Sequence, residues 1–226
     1  MWEARILDEA LELSLFSPDG EEGYPGNLAV KVLFRFSEDN HLVISYEAVS
    51  DKSTIINFTN HSYYNLNGDR SAMGHELQIF AERFLETDAE GLPTGRYLDV
   101  ESTPFDFRKS KIVADNICRQ HSQLTTGNGY DHTYVLSGRK AAVLLGPESG
   151  IYLAVSTDLP GLQLYTANYL TKRTGKNGSV MKARDAICLE TQLFPDGMAH
   201  YGFPSPVLPG NKLVHFESEY VFGVKI

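Results

Sequence analysis

The sequence predicts an all-β domain of the sandwich or barrel kind, and three observations predict it. Apolar and polar residues alternate at period two over short stretches, 19 Gly and 10 Pro recur between those stretches, and aromatic residues reach 11%. Period two sets one face of a strand against a core, and closely spaced Gly and Pro mark the turns of a sheet protein. Helix-length periodicity is nearly absent, which leaves little room for a helical class.

Each element follows from local pattern. Residues 11–15 carry apolar side chains at 11, 13 and 15, and residues 28–36 and 42–48 carry them at every even position. These are strands with one buried face. Between the first two, residues 17–26 are dense in Ser, Pro, Asp and Gly and long for a hairpin loop, so the segment is either functional or a solvated excursion. Further strands are predicted over 54–61, 77–81, 133–135, 142–145, 151–156, 163–167, 186–192 and 213–220. A helical turn or two fits 111–120, where Ile112, Val113, Asn116 and Ile117 share a face.

A chain of 226 residues holds one large domain or two small ones at roughly 100–200 residues each. No repeat, low-complexity linker or composition shift divides it, so residues 1–226 are read as a single domain. The balance of 20 Lys+Arg against 29 Asp+Glu, a net charge of −9, comes with basic residues scattered singly, which argues against nucleic acid and anionic membranes as partners. No apolar run approaches the roughly 18 residues of a membrane span, and residues 1–5 lack a basic segment followed by an apolar one. Cys118 and Cys188 have no CxxC or Cys/His spacing and are expected reduced, in the cytoplasm. Asn57, Asn60 and Asn177 each begin a glycosylation triplet, but no export signal gives those triplets a use.

Polar residues on predicted inner faces carry the chemical information. In 54–61, Asn57, Thr59 and His61 share one side of the strand, and Tyr63 and Tyr64 follow at once. His61 is either satisfied by neighbouring backbone or the head of a polar stripe beside aromatic platforms suited to an amphipathic ring. In 186–192, Cys188, Glu190 and Gln192 point one way, and Glu190 is either an exposed edge residue or a buried carboxylate that needs a partner. Asp131 stands beside His132 after a flexible turn, and Gln163 and Tyr165 share a strand face, which turn and sheet chemistry could equally explain. Together these are acid, base and neutral hydrogen-bonding groups with aromatic walls, the inventory for a neutral polyhydroxyl ligand. The seven histidines are isolated in sequence, and no HExxH, P-loop, GxGxxG or Gly-x-Ser-x-Gly pattern occurs, the 175–178 stretch included.

The motifs run in one order from end to end: Pro18-Asp19-Gly20-Glu21-Glu22-Gly23-Tyr24-Pro25-Gly26, then Thr59-Asn60-His61-Ser62-Tyr63, Thr103-Pro104-Phe105-Asp106-Phe107-Arg108, and Gly129-Tyr130-Asp131-His132. After them come Pro160-Gly161-Leu162-Gln163-Leu164-Tyr165 and Cys188-Leu189-Glu190-Thr191-Gln192 with Phe194-Pro195-Asp196. In this the sequence resembles the aldose 1-epimerase, or galactose mutarotase, family. The resemblance implies an antiparallel β-supersandwich that holds a free aldohexose on a concave face and interconverts its α and β anomers. It makes His61 the general acid toward the ring oxygen, Glu190 the general base on the anomeric hydroxyl, Asp131 a sugar ligand, and Gln163 a support for base or sugar. Neither metal nor organic cofactor is required.

The family's N-terminal third, with an Asn-Arg pair and a His-Gly-Gly loop, has no counterpart here, and Trp2-Glu3-Ala4 resembles the segment that follows it. An N-terminally truncated supersandwich is therefore expected, with uncovered sheet edges that favour self-association or a complementing N-terminal chain. The alternative function is a sugar-binding or structural relic that no longer catalyses. A same-fold enzyme for hexose 6-phosphates would want a basic subsite, which the acidic composition disfavours. Smaller departures are Ala167 where glycine is usual, Ala199 where asparagine is frequent, and a shortened Leu208-Pro209-Gly210.

Overall fold

The computed structural model describes residues 1–68, 71–175 and 178–225. Asn177 of the third triplet and Lys176 of the 175–178 stretch lie outside the described residues. The chain opens as an antiparallel meander of β1 (Glu3–Ile6), β2 (Leu11–Ser17), β3 (Leu28–Phe36) and β4 (His41–Ser50). Short β5 (Thr54–Ile55) and β6 (Tyr63–Tyr64) precede β7 (Glu76–Ile79), β8 (Ala81–Thr87) and β9 (Pro93–Asp99). Then β10 (Lys111–Ile112) leads into two short helices, α1 (Ala114–Ile117) and α2 (Ser122–Thr126). The remainder runs β11 (Asp131–Leu136), β12 (Lys140–Leu145), β13 (Ile151–Thr157), β14 (Gly161–Tyr165), β15 (Arg173–Thr174), β16 (Val180–Met181), β17 (Ile187–Gln192), β18 (Val207–Leu208) and β19 (Val214–Val224).

Two large antiparallel sheets result. One has nine strands in the order β1-β2-β3-β4-β19-β13-β12-β7-β10, the other six in the order β6-β17-β14-β11-β8-β9. Their facing sides share one apolar core, with Ile44, Tyr46, Leu77, Leu144, Leu153 and Tyr220 of the first sheet against Phe84, Tyr134, Leu162, Leu164, Ile187 and Leu189 of the second. That is the sandwich the alternation predicts. Three buried hydroxyls pair with one another there: Thr191 and Ser218 lie 2.7 Å apart, and Thr157 Oγ1 lies 2.9 Å from Ser218 Oγ, while the buried Tyr220 hydroxyl and Ser45 Oγ have no partner among the described residues.

Three sequence expectations need correction. The stretch 54–61 is hydrogen-bonded as a strand only over Thr54–Ile55, and the rest is extended chain. Its odd positions are still the exposed ones, because Ile56 turns into the core and the Asn57 amide exchanges hydrogen bonds with the backbone of Leu193 (3.1 and 2.9 Å) instead of a neighbouring strand. The 77–81 segment is two strands, β7 and β8, assigned to different sheets. The 111–120 helix starts as β10, whose Ile112 is exposed, after which Val113, capping α1, and Ile117 within it are buried. Strand β9 escapes the pattern because it is an edge strand containing Pro93 and Gly95, where half-exposed positions blur the alternation.

The 17–26 loop is held by polar contacts within it and to Asn27 and Lys52. Asp19 accepts the Gly26 amide (2.6 Å) and the Lys52 ammonium (2.6 Å), while Asn27 binds Asp51. No helix among the described residues is long and apolar enough to cross a membrane.

Candidate active site

The inner residues of β11, β14 and β17 alternate with a second set that faces away from the core. On β14, Leu162 and Leu164 are buried between the sheets, so Gln163 and Tyr165 point outward. Pairing register then sets the rows of the outer face. Gln163 lies opposite Glu190 on β17 and Thr133 on β11, while Tyr165 lies opposite Cys188 and Asp131. Tyr63 of β6 completes the second row opposite Cys188. Asp131 is launched into its row by Gly129, whose φ of +131 and lack of room beside the Asn168 side chain require glycine.

These outer residues line an open basin of about 360 Å³, formed by His61, Tyr63, Asp131, Gln163, Tyr165, Glu190, Gln192 and Pro195. All four residues singled out as candidates, His61, Asp131, Gln163 and Glu190, come together in it. His61 Nε2 stands 3.4 Å from Glu190 Oε1, with the imidazole side chain 49% exposed and the carboxylate only 8%. The imidazole stacks on Tyr63 at 5.0 Å and meets the edge of Tyr165 at 6.1 Å, so two aromatic rings fix its plane.

Glu190 is not the exposed edge residue its strand pattern also allowed. β17 is an interior strand between β6 and β14, and Glu190 accepts no hydrogen bond from a described residue. Burial, and then the neighbouring Asp131 charge, push its carboxyl up to about 7. Asp131 is also raised by burial, an effect offset by a hydrogen bond from Gln163 Nε2 (2.7 Å) and by His61. Gln163 therefore supports Asp131, and its amide is oriented by Thr133, whose hydroxyl donates to Gln163 Oε1 at 2.6 Å. Thr133 was not among the residues singled out from sequence; its signal is only that it shares the outer face at the paired position. Beside Asp131, His132 turns inward. Burial holds it neutral, pushed down to about 3, and its Nδ1 accepts the Asp131 amide at 3.1 Å.

Among the described residues no Lys or Arg lines the basin. Contrary to the isolation of the histidines in sequence, the fold brings His61, Cys188 and Glu190 together with ligand atoms all within 4.8 Å of one another.

The sequence profile described as Aldose 1-epimerase matches residues 1–220. The chain is 38% identical to human galactose mutarotase over 223 residues, covering 95% of this chain and 64% of that protein. It is 35% identical to the aldose 1-epimerase of Escherichia coli K12 over 205 residues, covering 88% of this chain and 59% of that one. Among solved structures, an aldose epimerase homologue from C. elegans superposes with a TM-score of 0.90 at 26% identity, covering all of this chain and 69% of its own. Galactose 1-epimerase from Lactobacillus acidophilus does so with a TM-score of 0.86 at 31% identity, covering all of this chain and 66% of its own. The chain thus spans somewhat less than two thirds of the human and bacterial relatives it matches in sequence.

Proposed function

The chain belongs to the aldose 1-epimerase family, and from that premise we propose that it interconverts the α and β anomers of free aldohexoses such as galactose and glucose. The observation that carries the reading is the His61–Glu190 pair, 3.4 Å apart on the floor of a neutral-to-acidic basin. Opening a cyclic hemiacetal removes a proton from the C1 hydroxyl and delivers one to the ring oxygen. Both oxygens are bonded to C1, so acid and base must be close neighbours, as His61 and Glu190 are.

In this mechanism the Glu190 carboxylate takes the C1 hydroxyl proton while the His61 imidazolium protonates the ring oxygen, and the C1–O bond to the ring breaks. Rotation about C1–C2 presents the other carbonyl face, the ring closes, and the two protons return. A base held near neutrality loses little driving force in either direction, which suits a reversible reaction. Asp131, held by Gln163, accepts hydrogen bonds from sugar hydroxyls, and the Tyr63 and Tyr165 rings receive the apolar ring face.

Nuclear magnetic resonance exchange between the anomers of galactose and glucose tests the reading directly. A rate above the uncatalysed one that collapses in Glu190→Gln supports it; a rate untouched by that substitution removes the assignment. The sugar-binding relic keeps one observation in its favour, since among the described residues no Lys or Arg lines the basin to assist His61 at the ring oxygen. It predicts saturable sugar binding with no excess exchange.

The same reading takes residues 1–226 as one domain in the reducing cytoplasm. The contiguous core through both sheets and the two free thiols support it. It includes self-association along the β1 end of the nine-stranded sheet, where Ile6 is 88% exposed and Trp2 and Phe16 are also exposed. Light scattering showing a monomer would count against self-association, and a co-purifying N-terminal chain would replace it.

A further inference from the structure

We propose that His61, Cys188 and Glu190 form a chelating site for a borderline-soft divalent cation, Zn²⁺ foremost, which when filled closes the basin to sugar. The three come from two separate segments, and only pairing of β17 with β6 unites them. Cys188 and Glu190 are two residues apart on one strand and so face the same way. Their ligand atoms and the His61 nitrogen already lie within 4.8 Å of one another.

One of the three ligand separations already fits a tetrahedral zinc. Zinc bound to imidazole nitrogen at about 2.0–2.1 Å and to carboxylate oxygen at about 2.0–2.2 Å sets those atoms about 3.4 Å apart. His61 Nε2 and Glu190 Oε1 are 3.4 Å apart before any ion arrives. Bringing Cys188 Sγ to about 3.6 Å from each, as a Zn–S bond near 2.3 Å demands, takes little more than about 1 Å of side-chain adjustment. Glu190 is already paired with His61, so an ion taken up by both replaces that contact with two metal–ligand bonds.

The donor set chooses the ion. Thiolate, imidazole and a single carboxylate favour Zn²⁺ and leave Mg²⁺ and Ca²⁺, which want oxygen shells, poorly served. Three protein ligands leave the fourth position to water on the basin side. Binding forms the metal–sulfur bond as the thiol proton passes to water, with no change of oxidation state. The inhibitory half of the proposal rests on the functional reading above, because a metal held by His61 and Glu190 removes the acid and the base together.

Cobalt titration of the whole chain in a phosphine reductant tests the site without reference to activity. One equivalent of Co²⁺ should give tetrahedral visible bands and a near-ultraviolet thiolate-to-cobalt band, both abolished by excess Zn²⁺ but not by Mg²⁺. Cys118→Ser, which alters the exposed cysteine far from the basin in sequence, should bind as the parent does. Cys188→Ser should lose the thiolate band and weaken Zn²⁺ by at least the roughly 10–100-fold that loss of even an outer-sphere partner costs.

Because Cys188 is buried, a misfolded Cys188→Ser by circular dichroism shifts the decision to His61→Ala, on a half-exposed side chain, which should weaken Zn²⁺ comparably. Binding without a thiolate band, no binding, equal competition by Mg²⁺, or unchanged affinity in these variants overturns the site. Full mutarotation with Zn²⁺ bound, or a Zn²⁺ affinity indifferent to saturating galactose, overturns the inhibitory half. A chain that binds Zn²⁺ as described yet never mutarotates overturns the functional reading and leaves the site standing.

Discussion

The two faces of the six-stranded sheet are made by the same strands and differ in nearly everything else. On β17, Ile187 and Leu189 enter the shared core and Thr191 finds Ser218, so the inner face is satisfied. One residue along, Cys188, Glu190 and Gln192 form the other face, where Glu190 is buried, ionisable and without a hydrogen bond from a described residue. Burying a carboxyl in that way raises the cost of its charge, and stability alone gives no reason to keep it. The inner face holds the fold together and the outer one carries an energetic cost that chemistry can use.

The largest effect should come from the outer face. Glu190→Gln keeps the shape and removes the proton acceptor, so anomer exchange should fall by roughly 10²–10⁴-fold, the worth of a well-placed general base. The melting temperature should not fall with it. A variant that lost both activity and fold would erase the distinction between the faces.

The inner face should answer in the opposite way. Leu189 is fully buried in the shared core, and Leu189→Ala should cost about 2–5 kcal/mol in chemical denaturation, since transfer and cavity effects add. In the fraction that remains folded, anomer exchange per molecule should be little changed. A loss of exchange without a loss of stability would mean that the core face positions the site more directly than its packing suggests.

How much of this contrast could be read in the sequence depended on which face a residue occupied. Period two located β3, β4, β13 and β17 to within two residues at each end, because their inner residues are mostly apolar. The same alternation picked out Glu190, Gln163 and, at a segment that never became a strand, His61. It could not choose between a solvated edge and a buried site, because that depends on whether β17 has neighbours on both sides, a long-range fact. It also could not find Thr133, whose role exists only through its register with Gln163, or pair His61 with Cys188. The roles of acid and base came from family resemblance, not from periodicity.

Glu190 also links the outer face to stability, with a sign that can be worked out. Its carboxyl titrates near 4.5 when unperturbed and about 7 in the fold, so between those values the folded state holds the extra proton. Stability should therefore be greatest below about pH 4.5 as far as this group is concerned, and fall as pH rises to about 7. At about 1.36 kcal/mol per unit the full effect is up to ~3 kcal/mol, and Asp131, also raised, adds with the same sign. Glu190→Gln should flatten the dependence and be the more stable protein at pH 8, while parental exchange should rise through pH 7 as the base ionises. Denaturation curves at pH 5 and pH 8 with equal offsets between the two proteins would break the link.

The smallest effect should appear at Ala167, just past the outer-face strand β14. Its φ of +49 lies in the left-handed region, where a Cβ meets the following carbonyl at a cost of roughly 1–2 kcal/mol that glycine does not bear. Ala167 is nonetheless fully buried, and its carbonyl accepts the Leu170 and Arg184 amides at 3.2 Å, which ties down the turn between β14 and β17. Ala167→Gly relieves the strain but gives the unfolded chain more freedom, so the net gain should be at most about 1 kcal/mol. Exchange should be unchanged, because Ala167 does not line the basin. If Ala167→Gly instead weakened sugar binding, the strained turn would be part of what holds Tyr165 in place, and the boundary between a face that stabilises and a face that reacts would have to be moved past the end of the strand.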